Sequence, residues 1–144
     1  MAIRLNERSE FEIPDAGSVG TLTTSTACDC FLVPFPVVLK GVLARLGTAG
    51  GTQATIVDIQ KNGTSIFSGA TKVNFAASST TPTYGARTTD PPLFAKGDIV
   101  KVVITQVGSG PAPADLGLAL NFSRLRGGSV PSGMLTDSIT ESDY

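Results

Sequence analysis

The chain has 144 residues, 41% of them hydrophobic, with eleven Lys and Arg against twelve Asp and Glu, no histidine, no tryptophan and a formal net charge of −1. That bounds a single domain with enough apolar residues for a core, and basic residues scattered without a stripe give no reason to expect a nucleic-acid partner. Without an imidazole, Ser–His–Asp catalysis and histidine-dependent zinc sites are excluded, so the chain reads as a structural or interaction module, not an enzyme.

Residues 1–25 read as an N-terminal arm and lead strand. The charges of Met1-Ala2-Ile3-Arg4-Leu5-Asn6-Glu7-Arg8 stand where a signal peptide would be apolar. No apolar run approaches the roughly 18 residues of a membrane span, since Pro34 and Pro36 interrupt the greasiest stretch at 31–39. Synthesis in a cytoplasm and no membrane partner are therefore expected. Phe11-Glu12-Ile13 is a short extended element that Pro14 stops or leaves on an edge.

Residues 26–126 carry the pattern of a β-sandwich, with early strands near 18–24 and 30–33. Cys28 and Cys30 are separated by one residue, which on a strand places both on one face. A bridge between them would be strained, and no third cysteine or histidine completes a zinc site, so free thiols are expected. Residues 37–46 fit helical spacing through Leu39, Val42, Leu43 and Leu46, and also fit a strand with Leu39 and Leu43 on one parity. The surrounding β pattern favours the strand, with Gly41 marking a bulge or a close neighbour. Gly47-Thr48-Ala49-Gly50-Gly51-Thr52 lacks the Gly-Lys-Ser/Thr end of a phosphate loop and precedes a strand, so it reads as a mobile loop.

Asn62-Gly63, flanked by alternating residues, predicts a type I′ hairpin. A strand is expected near 70–76, and 80–89 reads as a polar loop or irregular edge strand. Gly97-Asp98 is a turn ahead of a β-branched strand at 99–107 with Val100, Val102 and Ile104 on one face. The strongest strand is 115–123, where Leu116, Leu118, Leu120 and Phe122 alternate with small or polar residues. Residues 127–144 read as a flexible polar tail that orders only on a partner. The sum is about eight to ten strands and no helix: an all-β, jelly-roll-like antiparallel sandwich with an extended arm and a tail.

The carboxylates are the remaining candidates for chemistry. A glycosidase needs two, suitably spaced, but Asp58, Asp90, Asp98 and Asp115 each sit where a strand surface or turn explains them. No loop gathers the oxygens calcium requires. No catalytic residue, metal or cofactor is expected.

The order of motifs is more specific than any one of them. "TIVDIQKNGTSIFSG" is followed, after a polar stretch, by "LFAKGDIVKVVITQVGSGPAPADLGLALNF". This resembles a β-sandwich module recurrent in tailed-bacteriophage virion proteins, in which a strand ends in Lys-Asn-Gly-Thr, Lys-Gly-Asp opens another that ends in Gln-Val-Gly-Ser, and an Asp-Leu strand of alternating leucines completes the unit. Here the elements are Lys61-Asn62-Gly63-Thr64, Lys96-Gly97-Asp98, Gln106-Val107-Gly108-Ser109 and residues 115–122, and the resemblance covers roughly 35–125.

Such modules occur as head-decoration, or cement, proteins and as parts of tail, neck and fibre proteins, so the fold alone does not choose. Because the module fills nearly the whole chain, the resemblance implies a decoration protein that binds the major capsid protein on the outside of a virion. It also implies a homotrimer at local threefold positions. Shell contacts are expected in the arm, at Ile3, Leu5, Phe11 and Ile13, whose apolar side chains lie outside the main alternation; the alternative is that they pack as an edge strand on their own sandwich. Trimer contacts are assigned to 31–36. The rival reading is a tail, neck or fibre component whose loop 78–92, with Tyr84 and Arg87, recognises a receptor or glycan. A cellular adhesion or carbohydrate-binding module is the third.

Overall fold

The alternation at the C-terminal end builds the strand on which one sheet is assembled. In the computed structural model, which describes residues 10–24 and 27–125, Leu116, Leu118, Leu120 and Phe122 are all buried. Eleven strands and no helix form among the described residues: β1 Glu10–Ile13, β2 Ser18–Thr21, β3 Ala27–Leu32, β4 Val37–Thr48, β5 Thr55–Lys61, β6 Thr64–Ser65, β7 Val73–Phe75, β8 Thr83–Tyr84, β9 Leu93–Phe94, β10 Ile99–Gln106 and β11 Ala114–Arg124. One sheet runs β1-β11-β4-β9, with β2 also on β11; the other runs β3-β10-β5-β7-β8, with β6 on β5. Every pairing is antiparallel. The buried residues of both sheets form one cluster, so the core is the layer between two facing sheets. The fold is an all-β sandwich.

From Glu10 onward the described lead residues belong to this body. β1 lies along β11 with Phe11 opposite Phe122 and Ile13 opposite Leu120, and Ile13 packs partly buried against the core. Ile13 thus lies on an edge strand of its own sandwich, where β11 offers a ladder edge to the chain that precedes Pro14. Ile3 and Leu5, like the tail 127–144, lie outside the described residues.

β4 resolves the ambiguity in its sequence. Asn121 pairs with Gly41 but Phe122 pairs with Leu39, leaving Lys40 as an extra residue. Ahead of this bulge the odd positions Val37 and Leu39 are buried; beyond it the even positions Ala44 and Leu46 are. Leu43, expected on the face of Leu39, is exposed. A period of two that slips by one residue imitates helical spacing. A Cβ at Gly41 would meet nothing within 4 Å, so this glycine marks the bulge and not a crowded contact.

A second bulge corrects the expected cysteine geometry. Asp29 pairs with Val102 while Ala27 pairs with Val103, which leaves Cys28 as the extra residue in β3. Cys28 packs against the core and Cys30 is exposed; both thiols are free. Burial, and then the charge of Asp29, push the Cys28 thiol above its ordinary pKa.

The expected mobile loop at 47–52 is instead clamped. β4 extends to Thr48, Gly51 N–H donates to the Pro111 carbonyl at 3.0 Å, and the Gln53 amide donates to the Val107 carbonyl at 2.9 Å. Thr52 and Ser109 hydroxyls are 3.0 Å apart. A side chain at Gly51 would collide with the Gly110 carbonyl oxygen, so the glycines let two backbones close the end of the sandwich.

Candidate functional site: a cleft beside Tyr84

β8 is a two-residue strand at the edge of the β10 sheet, yet it also closes the side of the sandwich. Tyr84 projects from it to β4 of the opposite sheet, where its hydroxyl oxygen accepts the N–H of Ala44 at 2.9 Å. Next along the same edge, Leu46 N–H donates to the Thr80 carbonyl. Residues 42, 44 and 46 pair regularly with β11, so by strand alternation the backbone N–H of Val42 points to the same outer edge.

At that point the edge opens into a cleft of about 360 Å³ lined by Gly41, Val42, Phe67, Tyr84, Gly85, Ala86, Arg87 and Asp90. Phe67 and Arg87 form an isolated antiparallel bridge, which fixes the Arg87 backbone against the second sheet. The Arg87 guanidinium then donates to Asp90 at 2.8 Å. The arginine is mostly sheltered and the aspartate mostly exposed. The structure thus brings Tyr84 and Arg87 to the wall of one cleft. Gly41, Val42 and Phe67 carry no linear signal for it, because three separate segments converge only in the folded sandwich.

Asp58 and Asp115 are engaged structurally. Asp58 is buried and accepts from Ser65 at 2.6 Å and Gln60 at 3.2 Å, with Lys72 Nζ at 3.8 Å. Asp115 accepts the N–H of Gly20 at 2.8 Å. Among the described residues no group of three His, Cys, Asp or Glu side chains is placed to hold a metal ion.

Two motifs that are far apart in sequence form one unit. Asn62 and Gly63 take φ of 52° and 87°, as the type I′ hairpin requires. The Asn62 side-chain amide donates to Asp98 at 2.9 Å, its carbonyl oxygen accepts the N–H of Ile99 at 2.8 Å, and its own N–H donates to the Ile99 carbonyl at 2.8 Å. Asp98 also accepts the N–H of Ala95 at 2.8 Å. The Asn62 amide first, and the Ala95 N–H second, hold the Asp98 carboxyl below its ordinary pKa of 3.8.

A depressed folded-state pKa contributes stability that is complete above the unfolded value and is lost as pH falls through the folded one. Asp98→Asn is therefore expected to unfold at lower urea concentration than the native chain at neutral pH. The gap should hold down to the ordinary value of 3.8 and close below it. Urea titrations followed by circular dichroism at stepped pH check this; a gap independent of pH would remove the charged acceptor from the account.

The 31–36 stretch divides. Phe31 faces inward with its ring edge-on to Phe122 at 6.2 Å, and Phe35 lies under the Arg124 guanidinium at 4.1 Å. Leu32 is exposed beside its ladder partner Ile99, also exposed. Among the described residues no helix is long and apolar enough to cross a membrane. Comparison of the chain with protein-family models, curated proteins and solved structures returned no match.

Proposed function

We propose that the chain is a structural virion protein that binds the outside of a phage capsid and stabilises the shell. The observation that carries this reading is the bonded unit of Asn62 with Asp98 and Ile99. It gives a physical reason for the Lys-Asn-Gly-Thr and Lys-Gly-Asp motifs to recur together in the virion module the sequence resembles. Leu32, exposed within the stretch 31–36 assigned to trimer contacts and beside the exposed Ile99 of β10, supports an association surface there. A protein that binds the assembled lattice and not its separated subunits stabilises the lattice by its binding free energy. Several weak contacts per homotrimer add through avidity.

A second reading, a tail, neck or fibre component, is favoured by one observation: the cleft that gathers Tyr84 and Arg87. Copy number relative to the major capsid protein, by quantitative mass spectrometry of purified virions, separates the two. Decoration predicts a simple lattice fraction; a handful of copies per particle moves the chain to the tail or neck. Absence from virions would sink both.

A further inference from the structure

The cleft beside Tyr84 has a composition that selects one class of ligand. Its volume, about 360 Å³, is at the small end of the range for small-molecule sites, about 300–1,000 Å³. Its charge is internally cancelled, because the guanidinium of Arg87 is already held by Asp90 at 2.8 Å. A phosphate or sulfate would have to compete with that carboxylate and would meet it as a like charge. What the pair still offers is a set of fixed donors beside a fixed acceptor, since Arg87 carries five N–H groups and Asp90 two oxygens.

The other walls add to this. Tyr84 is 45% exposed and supplies an aromatic ring. Its hydroxyl oxygen takes the Ala44 N–H, which leaves the hydroxyl proton to donate elsewhere. Val42 contributes a backbone N–H directed at the open edge. Gly41 leaves space, since a Cβ there would meet nothing within 4 Å.

From these features we propose that the cleft binds a neutral, polyhydroxylated ring, a sugar unit of a glycan. Its hydroxyls bond to Arg87, Asp90 and the Val42 N–H, and an apolar C–H face rests on Tyr84. A sugar has the alternating hydroxyl donors and acceptors that the ion pair can meet without being broken. It also has the apolar face that an exposed aromatic ring can cover. The inference deepens the recognition-surface reading of Tyr84 and Arg87. It rests on the cleft and not on where in a virion the chain sits, so it stands or fails independently of copy number.

The test is a titration of the full ¹⁵N-labelled chain with D-glucose, D-galactose, D-mannose and N-acetylglucosamine, each alone, and with sodium sulfate as the anionic probe. The expected result is saturable amide shifts confined to Val42, Phe67 and residues 84–90 with at least one sugar, with Kd on the order of 1 mM. Gly41→Leu, which fills the open space without a positive-φ constraint, should abolish the shifts while the rest of the spectrum is kept. Asp90→Asn alters a mostly exposed side chain and gives a second variant if the first misfolds; it should weaken binding about five- to tenfold. Absence of shifts with all four sugars, shifts with sulfate in place of sugar, or sugar shifts that survive in a folded Gly41→Leu chain would each overturn the proposal.

Discussion

Phe122→Ala is expected to lower the unfolding free energy by about 4 kcal/mol, the largest effect of any single substitution considered. Phe122 lies on β11 in one sheet and is buried. It meets Phe31 of β3, in the other sheet, edge-on at 6.2 Å and 88°, and Phe94 of β9 edge-on at 5.9 Å and 79°. Truncation removes the transfer free energy of the ring and leaves a cavity in a layer that two sheets hold apart. It also loses two edge-to-face contacts worth about 0.5–1.5 kcal/mol each beyond their area. Phe122→Leu keeps most of the volume and should cost about 1–2 kcal/mol. Urea unfolding by circular dichroism measures both. Near-equal effects of the two variants would mean that ring geometry, not volume, dominates at this position.

The second large effect is expected at a polar residue. Asp58 stands on β5 between the core residues Val57 and Ile59, on the opposite face of the strand, and is itself buried. β6 brings Ser65 onto it and the chain that follows brings Lys72, which reaches it from a backbone of φ 51°. Asp58→Ala leaves the Lys72 cation, the Ser65 hydroxyl and the Gln60 amide without their shared acceptor. Breaking a buried pair from one side costs about 3–5 kcal/mol. Lys72, a quarter exposed, recovers part of its hydration, so about 2–3 kcal/mol is expected here. Lys72→Met alone should cost less, because Asp58 keeps its two hydrogen bonds. The double variant should cost less than the sum of the singles. Additivity within about 0.5 kcal/mol would show that the two side chains do not interact.

The parts of the fold legible in the sequence are those where one physical rule acts alone. β11 shows uninterrupted alternation because the slips in its ladders with β4 and β2 place their extra residues in those partner strands and leave the period of β11 itself intact. Asn62-Gly63 announces its turn because few residue pairs tolerate two consecutive positive φ values. β4 and β3 were less legible because each inserts one residue into its ladder, at Lys40 and at Cys28, and so changes which parity is buried. The loop at 47–52 carried a flexible composition, but Gly50 and Gly51 serve close backbone approach to 108–110, which no local pattern encodes. Of the candidate site residues, Tyr84 and Arg87 were visible as an aromatic beside a cation. Asp90 is close to Arg87 in the chain, whereas Gly41, Val42 and Phe67 became their neighbours only through the sheet order.

By itself, then, the sequence determined the all-β class, the hairpin at 62–63 and the inward faces of β10 and β11. Period-two burial and turn chemistry are local properties, set within a few residues. The tertiary structure alone decided the ladder slips at Lys40 and Cys28, the joining of Asn62 to Asp98, the covering of Asp58 and the cleft beside Tyr84. Each of these depends on which strands lie side by side. That pairing is settled by the collective burial of two sheets, beyond the reach of any single stretch of chain.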